Sequence, residues 1–134
     1  MNCIFCKISK KEIPAFIIDE SDNFIAFLDI HPHAPGHSVV IPKNHYENFF
    51  DLSEALGNEF ISFVKQCVNL LSKKLQTNSF TFGVNQGEIA GQTIKHFHFH
   101  IIPRFPNDKG GSIHSVVYNP PQESVEEIFN LIKK

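Results

Sequence analysis

His96-Phe97-His98-Phe99-His100, running into Ile101-Ile102-Pro103-Arg104, alternates imidazoles with large apolar side chains. Period-two alternation is the pattern of a strand with one face in a core. It predicts that Phe97, Phe99 and Ile101 point inward while His96, His98 and His100 share the opposite face. Imidazoles titrate near neutral pH, so three in a row point to phosphate chemistry, proton transfer or a metal rather than a passive surface. Strand geometry narrows the metal option. Alternate residues lie roughly 6.5 Å apart along a strand and can share one ion, whereas His96 and His100, roughly 13 Å apart, cannot. At least one histidine is left for nucleophilic or acid–base work.

Upstream of this stretch, Gly91-Gln92-Thr93 could bring backbone and a hydroxyl to a phosphate; alone, the same tripeptide fits a turn equally well. Phe80, Phe82 and Val84 alternate and predict another strand. Leu56, Phe60, Phe63, Cys67, Leu70 and Leu71 recur at helical spacing. They predict a long amphipathic helix, opened by Asp51 and Glu54 and ending near Leu75, with Cys67 in the core. Nearer the N-terminus, residues 16–20 and 24–29 read as a hairpin across Ser21-Asp22-Asn23. Residues 38–42 read as a strand, after a Pro- and Gly-rich loop over 31–36. Downstream, residues 105–111 read as a loop and 113–118 as a short extended piece. A last helix follows Pro120-Pro121, with Val125, Ile128, Phe129 and Ile132 on one side. Hairpin-joined strands with two main helices give an α+β fold with a largely antiparallel sheet.

The chain has 134 residues, 42% hydrophobic and 19% charged, with net charge −2. That length suits one domain over 1–134 with a real core. The charge offers no bulk attraction for a nucleic acid polymer. No apolar run is long enough to span a membrane, and no basic-then-apolar leader opens the chain. Three cysteines do not form a secreted disulfide framework, so a cytoplasmic location is expected. Two of them form Cys3-Ile4-Phe5-Cys6. Such a pair can hold half of a tetrahedral zinc site, act as a redox pair, or be two ordinary thiols; the βαβ context of a redox pair is missing.

The alternating stretch resembles the signature of the histidine-triad (HIT) family, His-φ-His-φ-His-φ-φ with φ apolar. Asp29-Ile30-His31-Pro32-His33-Ala34-Pro35-Gly36-His37 with Val39 to Lys43, Asn85-Gln86-Gly87 and Gly91-Gln92-Thr93 resemble other family segments in the family's order. The similarity runs from about Cys3 to Arg104 and is strongest to the branch of nucleoside phosphoramidate hydrolases. It implies a HIT-like fold with a five-stranded antiparallel sheet, paired into a homodimer. It also implies His98 as a nucleophile that takes the α-phosphorus of a purine nucleotide, leaving a covalent nucleotidyl-histidine for water to cleave. By the same resemblance His100 holds phosphoryl oxygens, His37 supports the triad, and Thr93 and Asn85 contact phosphate or leaving group. Gly91 and Gln92 belong to the phosphate-side loop; Asp29 binds the ribose hydroxyls, with Ile30 beside the sugar or base. For Asp29 the competing reading is a residue that only shapes the turn.

In members with an N-terminal cysteine pair, Cys3, Cys6, His45 and His96 match the ligands of a structural zinc. The mechanism needs no catalytic cofactor. The phosphoramidase reading has two rivals: a dinucleoside polyphosphate hydrolase with the same nucleophile, and a nucleotide-binding adaptor whose hydrolysis is incidental. The chain has no Trp, so residues 105–118 replace the C-terminal aromatic by which phosphoramidate hydrolases shape the partner's site. His31, His33 and His114 receive no role.

Overall fold

A computed structural model describes residues 2–134. The elements in chain order are α1 (Ile4–Ser9), β1 (Ile17–Glu20), β2 (Phe24–Leu28), β3 (Ser38–Pro42), α2 (Glu54–Leu75), β4 (Phe80–Gly83), β5 (Phe99–Pro103) and α3 (Val125–Lys133). Single 3-10 turns lie at Phe49–Asp51 and Ile113–Ser115. The strands form one antiparallel sheet in the order β1-β2-β3-β5-β4. The α+β class and the five-stranded antiparallel sheet expected from the sequence are both present. Among the described residues no helix is long and apolar enough to cross a membrane.

Both faces of the sheet are covered, and the strands show it. All five residues of β3 are buried, as are four of the five in β2. One face, with Phe24, Ala26, Val40 and Ile101, packs against Phe63, Cys67 and Leu71 of α2. Phe24 is fully buried, its ring 5.7 Å from Phe60 and 6.1 Å from Phe63. Burying each such side chain contributes about 1.5–3 kcal/mol. The other face, with Ile25, Phe27, Val39 and Ile41, is covered by Cys3, Phe5 and Ile8 at the N-terminus. Directly opposed residues on paired strands share a face. His100 opposes Val39, so the histidine face is this N-terminal one.

Several expectations change in detail. Only His100 of the three histidines lies in β5, which starts at Phe99; His96 and His98 sit in the segment that enters it. The face expected to be open is roofed: His96 and His98 are buried together with Phe97. The long helix begins two residues later than its Asp51 signal suggests. Ser53 is its cap, accepting from the Leu56 N–H, while Asp51 closes a capping box with Asn48 on the 3-10 turn. The helix ends at Leu75, where Gln76 turns left-handed. Residues 113–118 hold a 3-10 turn rather than an extended piece. α3 forms with a Ser124–Glu127 capping box, yet none of its residues is buried.

One loop deserves its glycine. Gly36 has φ +82° and lies against Leu75 and Pro103 so closely that a Cβ would overlap the Leu75 side chain. This seats the 31–36 loop on the end of α2 and delivers His37 at the start of β3. The His37 carbonyl then accepts from the Asp29 N–H at 2.9 Å, joining the ends of β2 and β3.

Candidate active site

Hydrogen-bond chemistry fixes the proton positions on the histidines. His98 Nδ1 lies 2.7 Å from the carbonyl oxygen of His96. A carbonyl can only accept, so Nδ1 carries the proton and Nε2 keeps a free lone pair. That is the state a nucleophilic imidazole needs.

A second chain of bonds orients His100. The backbone N–H of His33 donates to His37 Nδ1 at 3.1 Å, so the proton of neutral His37 sits on Nε2. His37 Nε2 lies 3.0 Å from His100 Nδ1 and donates to it. The His100 proton is therefore on Nε2, available to an incoming oxygen. Asp29 lies beside this pair, with Oδ2 3.6 Å from the same His37 Nε2. Its other oxygen accepts from the His31 N–H at 2.8 Å and shapes the turn. Burial, reinforced by neighbouring His98 and His37, pushes His100 down to about 4. Burial also lowers His37, partly offset by Asp29. Both rings are thus neutral near pH 7. His98 and His100 meet edge to face, 5.3 Å between centroids at 71°.

Asp29, His37 and His100 offer ligand atoms within 4.8 Å of one another. The His33 N–H, however, keeps the proton on the very His37 nitrogen a metal would need. His37 and His100 form a hydrogen-bonded pair beside the Asp29 carboxylate.

A different cluster suits a metal. Cys3, Cys6, His45 and His96 also bring their donors within 4.8 Å. His96 Nε2 donates to the Pro42 carbonyl at 2.9 Å, which leaves Nδ1 bare and facing the sulfurs. Sγ of Cys3 and of Cys6 lie 3.4 and 3.6 Å from that nitrogen, and Cys6 Sγ lies 3.3 Å from His45 Nδ1. With zinc–sulfur and zinc–nitrogen bonds of ordinary length, the S···N edge of a tetrahedron is about 3.6 Å. The donor set and its spacing therefore fit a tetrahedral zinc. The Phe97 N–H donates to the Tyr46 carbonyl, which holds His45 beside His96 with ring centroids 5.0 Å apart.

The phosphate-side loop is held by its own glutamine. The Gln92 amide donates to the carbonyls of Glu47 (2.9 Å) and Ile94 (3.1 Å), and its oxygen accepts from the Gly87 N–H at 2.9 Å. Its side chain thus organises the loop. Gly91, at φ +99°, lies beside the Asn85 amide. Thr93 is exposed on the rim of a cleft of about 650 Å³ shared with Ile4, Lys7, His45 and Lys95. Ile30 is exposed beside Asp29, as are His31, His33 and His114. Sequence reasoning missed Phe5, whose ring lies against both His96 and His98. Its only signal was a large apolar residue between the two cysteines.

The family model described as the HIT domain matches residues 10–107. The chain belongs to the HIT family. It is 40% identical over 111 residues to an adenosine 5'-monophosphoramidase of Saccharomyces cerevisiae, covering 83% of this chain and 67% of the yeast protein. A crystal structure of a HIT family member from Bacillus subtilis superposes with a TM-score of 0.85 at 32% identity, covering 98% of this chain and 93% of the other. A zinc-bound histidine-triad protein from Mycobacterium smegmatis superposes with a TM-score of 0.75 at 33% identity, covering 81% and 79%.

Proposed function

We propose that the protein hydrolyses purine nucleoside 5'-phosphoramidates at the α-phosphorus through a covalent nucleotidyl-His98 intermediate. The observation that carries this reading is the His98 tautomer, Nδ1–H donated to the His96 carbonyl and Nε2 bare, beside a His100 that keeps its proton on Nε2. Nε2 attacks phosphorus, the P–N bond breaks, and its electron pair leaves with the amine, which takes up a proton from solvent. Positive charge developing on the His98 ring is shared with the His96 carbonyl through the Nδ1–H bond. The His100 Nε2–H meets the negative charge growing on the phosphoryl oxygens, where a donor placed in advance is worth most. Water then attacks phosphorus and loses a proton to solvent, the P–N bond breaks with its electron pair returning to His98 Nε2, and the nucleoside monophosphate leaves.

Asp29 binds the ribose hydroxyls with the carboxylate face not used by the turn, and Ile30 packs beside the nucleoside. Thr93 and Asn85 contact the phosphate or leaving group from a loop braced by Gly91 and Gln92. Cys3, Cys6, His45 and His96 hold a zinc ion, which when bound ties the N-terminus to the segment carrying His98. The zinc-bound relative supports this metal, and the yeast phosphoramidase supports the substrate class.

The decisive assay compares turnover of adenosine 5'-phosphoramidate with that of diadenosine tetraphosphate. Faster AMP release from the phosphoramidate is expected. Preference for the dinucleotide would move the protein to polyphosphate hydrolysis with the same nucleophile. Tight AMP binding with turnover of neither would favour the adaptor.

A homodimer is part of the same reading. Val125, Phe129, Leu131 and Ile132 of α3 are more than half exposed, as are Val116, Val117 and Tyr118 before it. Light scattering is expected to return twice the chain mass of 15.2 kDa. A monomer at micromolar concentration would end this part of the proposal.

A further inference from the structure

We propose that the cleft beside Thr93 is a leaving-group subsite for amines that end in a carboxylate, an amino acid or short peptide, with Lys7 and Lys95 selecting the charge. The inference rests on the phosphoramidate reading and adds the chemical class of the amine. The cleft, of about 650 Å³, is lined by both lysines and by no Asp or Glu. The chain as a whole carries 14 acidic and 12 basic residues, so two cations with no acid between them run against its net charge of −2. Elsewhere cations meet acids: Lys11 and Lys43 pair with Glu20, and Arg104 with Asp108. Among the described residues Lys7 and Lys95 form no such pair. Lys7 stands in the last turn of α1, where a cation also suits the helix end, but Lys95 lies in no helix.

Two features tie the cleft to the reacting centre. Thr93, the residue assigned to the phosphate or leaving group, is on its rim, five residues before His98. Cys3 lines it too, and the Cys3 sulfur lies 3.4 Å from Nδ1 of His96, the residue whose carbonyl holds His98. The remaining lining decides between two kinds of anion. Ile4, Ile13 and Ile94 stand among the polar groups, and Ile4 is half exposed. A polyphosphate chain has no carbon to lay on isoleucines, and the arginine forks that grip phosphate in pairs of bonds are missing from the lining. A carboxylate on an aliphatic or peptide stem uses both parts, the stem against the isoleucines and the charge between the ammonium groups. Lys95 is exposed and Lys7 partly so, so each contributes a modest factor, and that factor falls with salt.

The test compares two substrates that differ in terminal charge: AMP joined through nitrogen to glycylglycine, and AMP joined in the same way to glycylglycinamide. Wild type is expected to favour the carboxylate by about fivefold in kcat/KM at low ionic strength, with the preference fading in about 0.5 M salt. Lys7→Met and Lys95→Met should each reduce that preference by about twofold, and the double variant should lose it. Lys95→Glu should favour the amide. Each preference is a ratio within one preparation, so partial unfolding of a variant does not disguise it. Equal turnover of the two substrates by wild type overturns the proposal, as does a preference that survives the double substitution. Diadenosine tetraphosphate is the third substrate. A lysine dependence confined to it overturns the carboxylate and gives the cleft to a phosphate chain. Failure of the underlying reading looks different: neither phosphoramidate releases AMP, or His98→Ala stays fully active, and the proposal falls with its premise.

Discussion

His98→Ala is expected to abolish turnover, with a loss of about 10⁴-fold or more, while nucleotide binding survives. The size follows from the chemistry. Without the imidazole, water must displace the leaving group directly, and the route through two easier displacements is closed. Binding survives because the ribose and phosphate contacts proposed for Asp29, Asn85 and Thr93 lie on other segments, which the substitution leaves in place. The histidine is buried, so its removal opens a cavity and some stability is lost as well. Turnover must therefore be measured per folded molecule, with AMP affinity by calorimetry on the same preparation. Acid-quenched wild type should carry a nucleotidyl adduct on His98 that the variant lacks. Residual activity near the wild-type level would sink the covalent mechanism. His100→Ala should be milder, since it removes one donor to the phosphoryl oxygens and leaves the nucleophile.

Much of this site was legible in the sequence because strand alternation and the triad spacing are local. The five strands, the span of α2 and the α+β class follow from patterns of a few residues each. The burial of the histidine face was not legible. It depends on a six-residue helix, too short for periodicity to announce, folding back over the sheet so that Phe5 and Ile8 cover it. Proton positions were equally hidden, because they are set by backbone groups that only the fold brings into hydrogen-bond distance. The His33 N–H determines the His37 tautomer, and the Pro42 carbonyl determines that of His96. Gln92 shows the same limit. Its place beside Gly91 suggested a phosphate contact, but the bonds made by its amide reach back to Glu47 and across the loop to Gly87 and Ile94. The motif marks the loop correctly, while long-range contacts decide what each member of it does.

Metal removal is the second large effect expected. Zinc bridging Cys3 and Cys6 to His45 and His96 would join positions about forty and ninety residues apart in the chain. Among the described residues of the N-terminal segment, Cys3, Phe5 and Ile8 are buried in the core with Cys6, Ile13 and Ala15 partly buried against it, which is little packing to fix a short helix against a sheet. Losing the bond network at such a site belongs among the large destabilisations, about 3 kcal/mol or more. For a chain of this length that corresponds to a fall in melting temperature of roughly 10 °C. A strong chelator and Cys3→Ser should both produce it, and elemental analysis should find one zinc per chain in the untreated protein. No step of the proposed reaction passes through the metal, so molecules that stay folded should keep turning over. A protein without zinc whose melting temperature ignores both treatments would leave Cys3 and Cys6 as ordinary thiols. A large rise in KM on chelation would instead place the metal against the substrate.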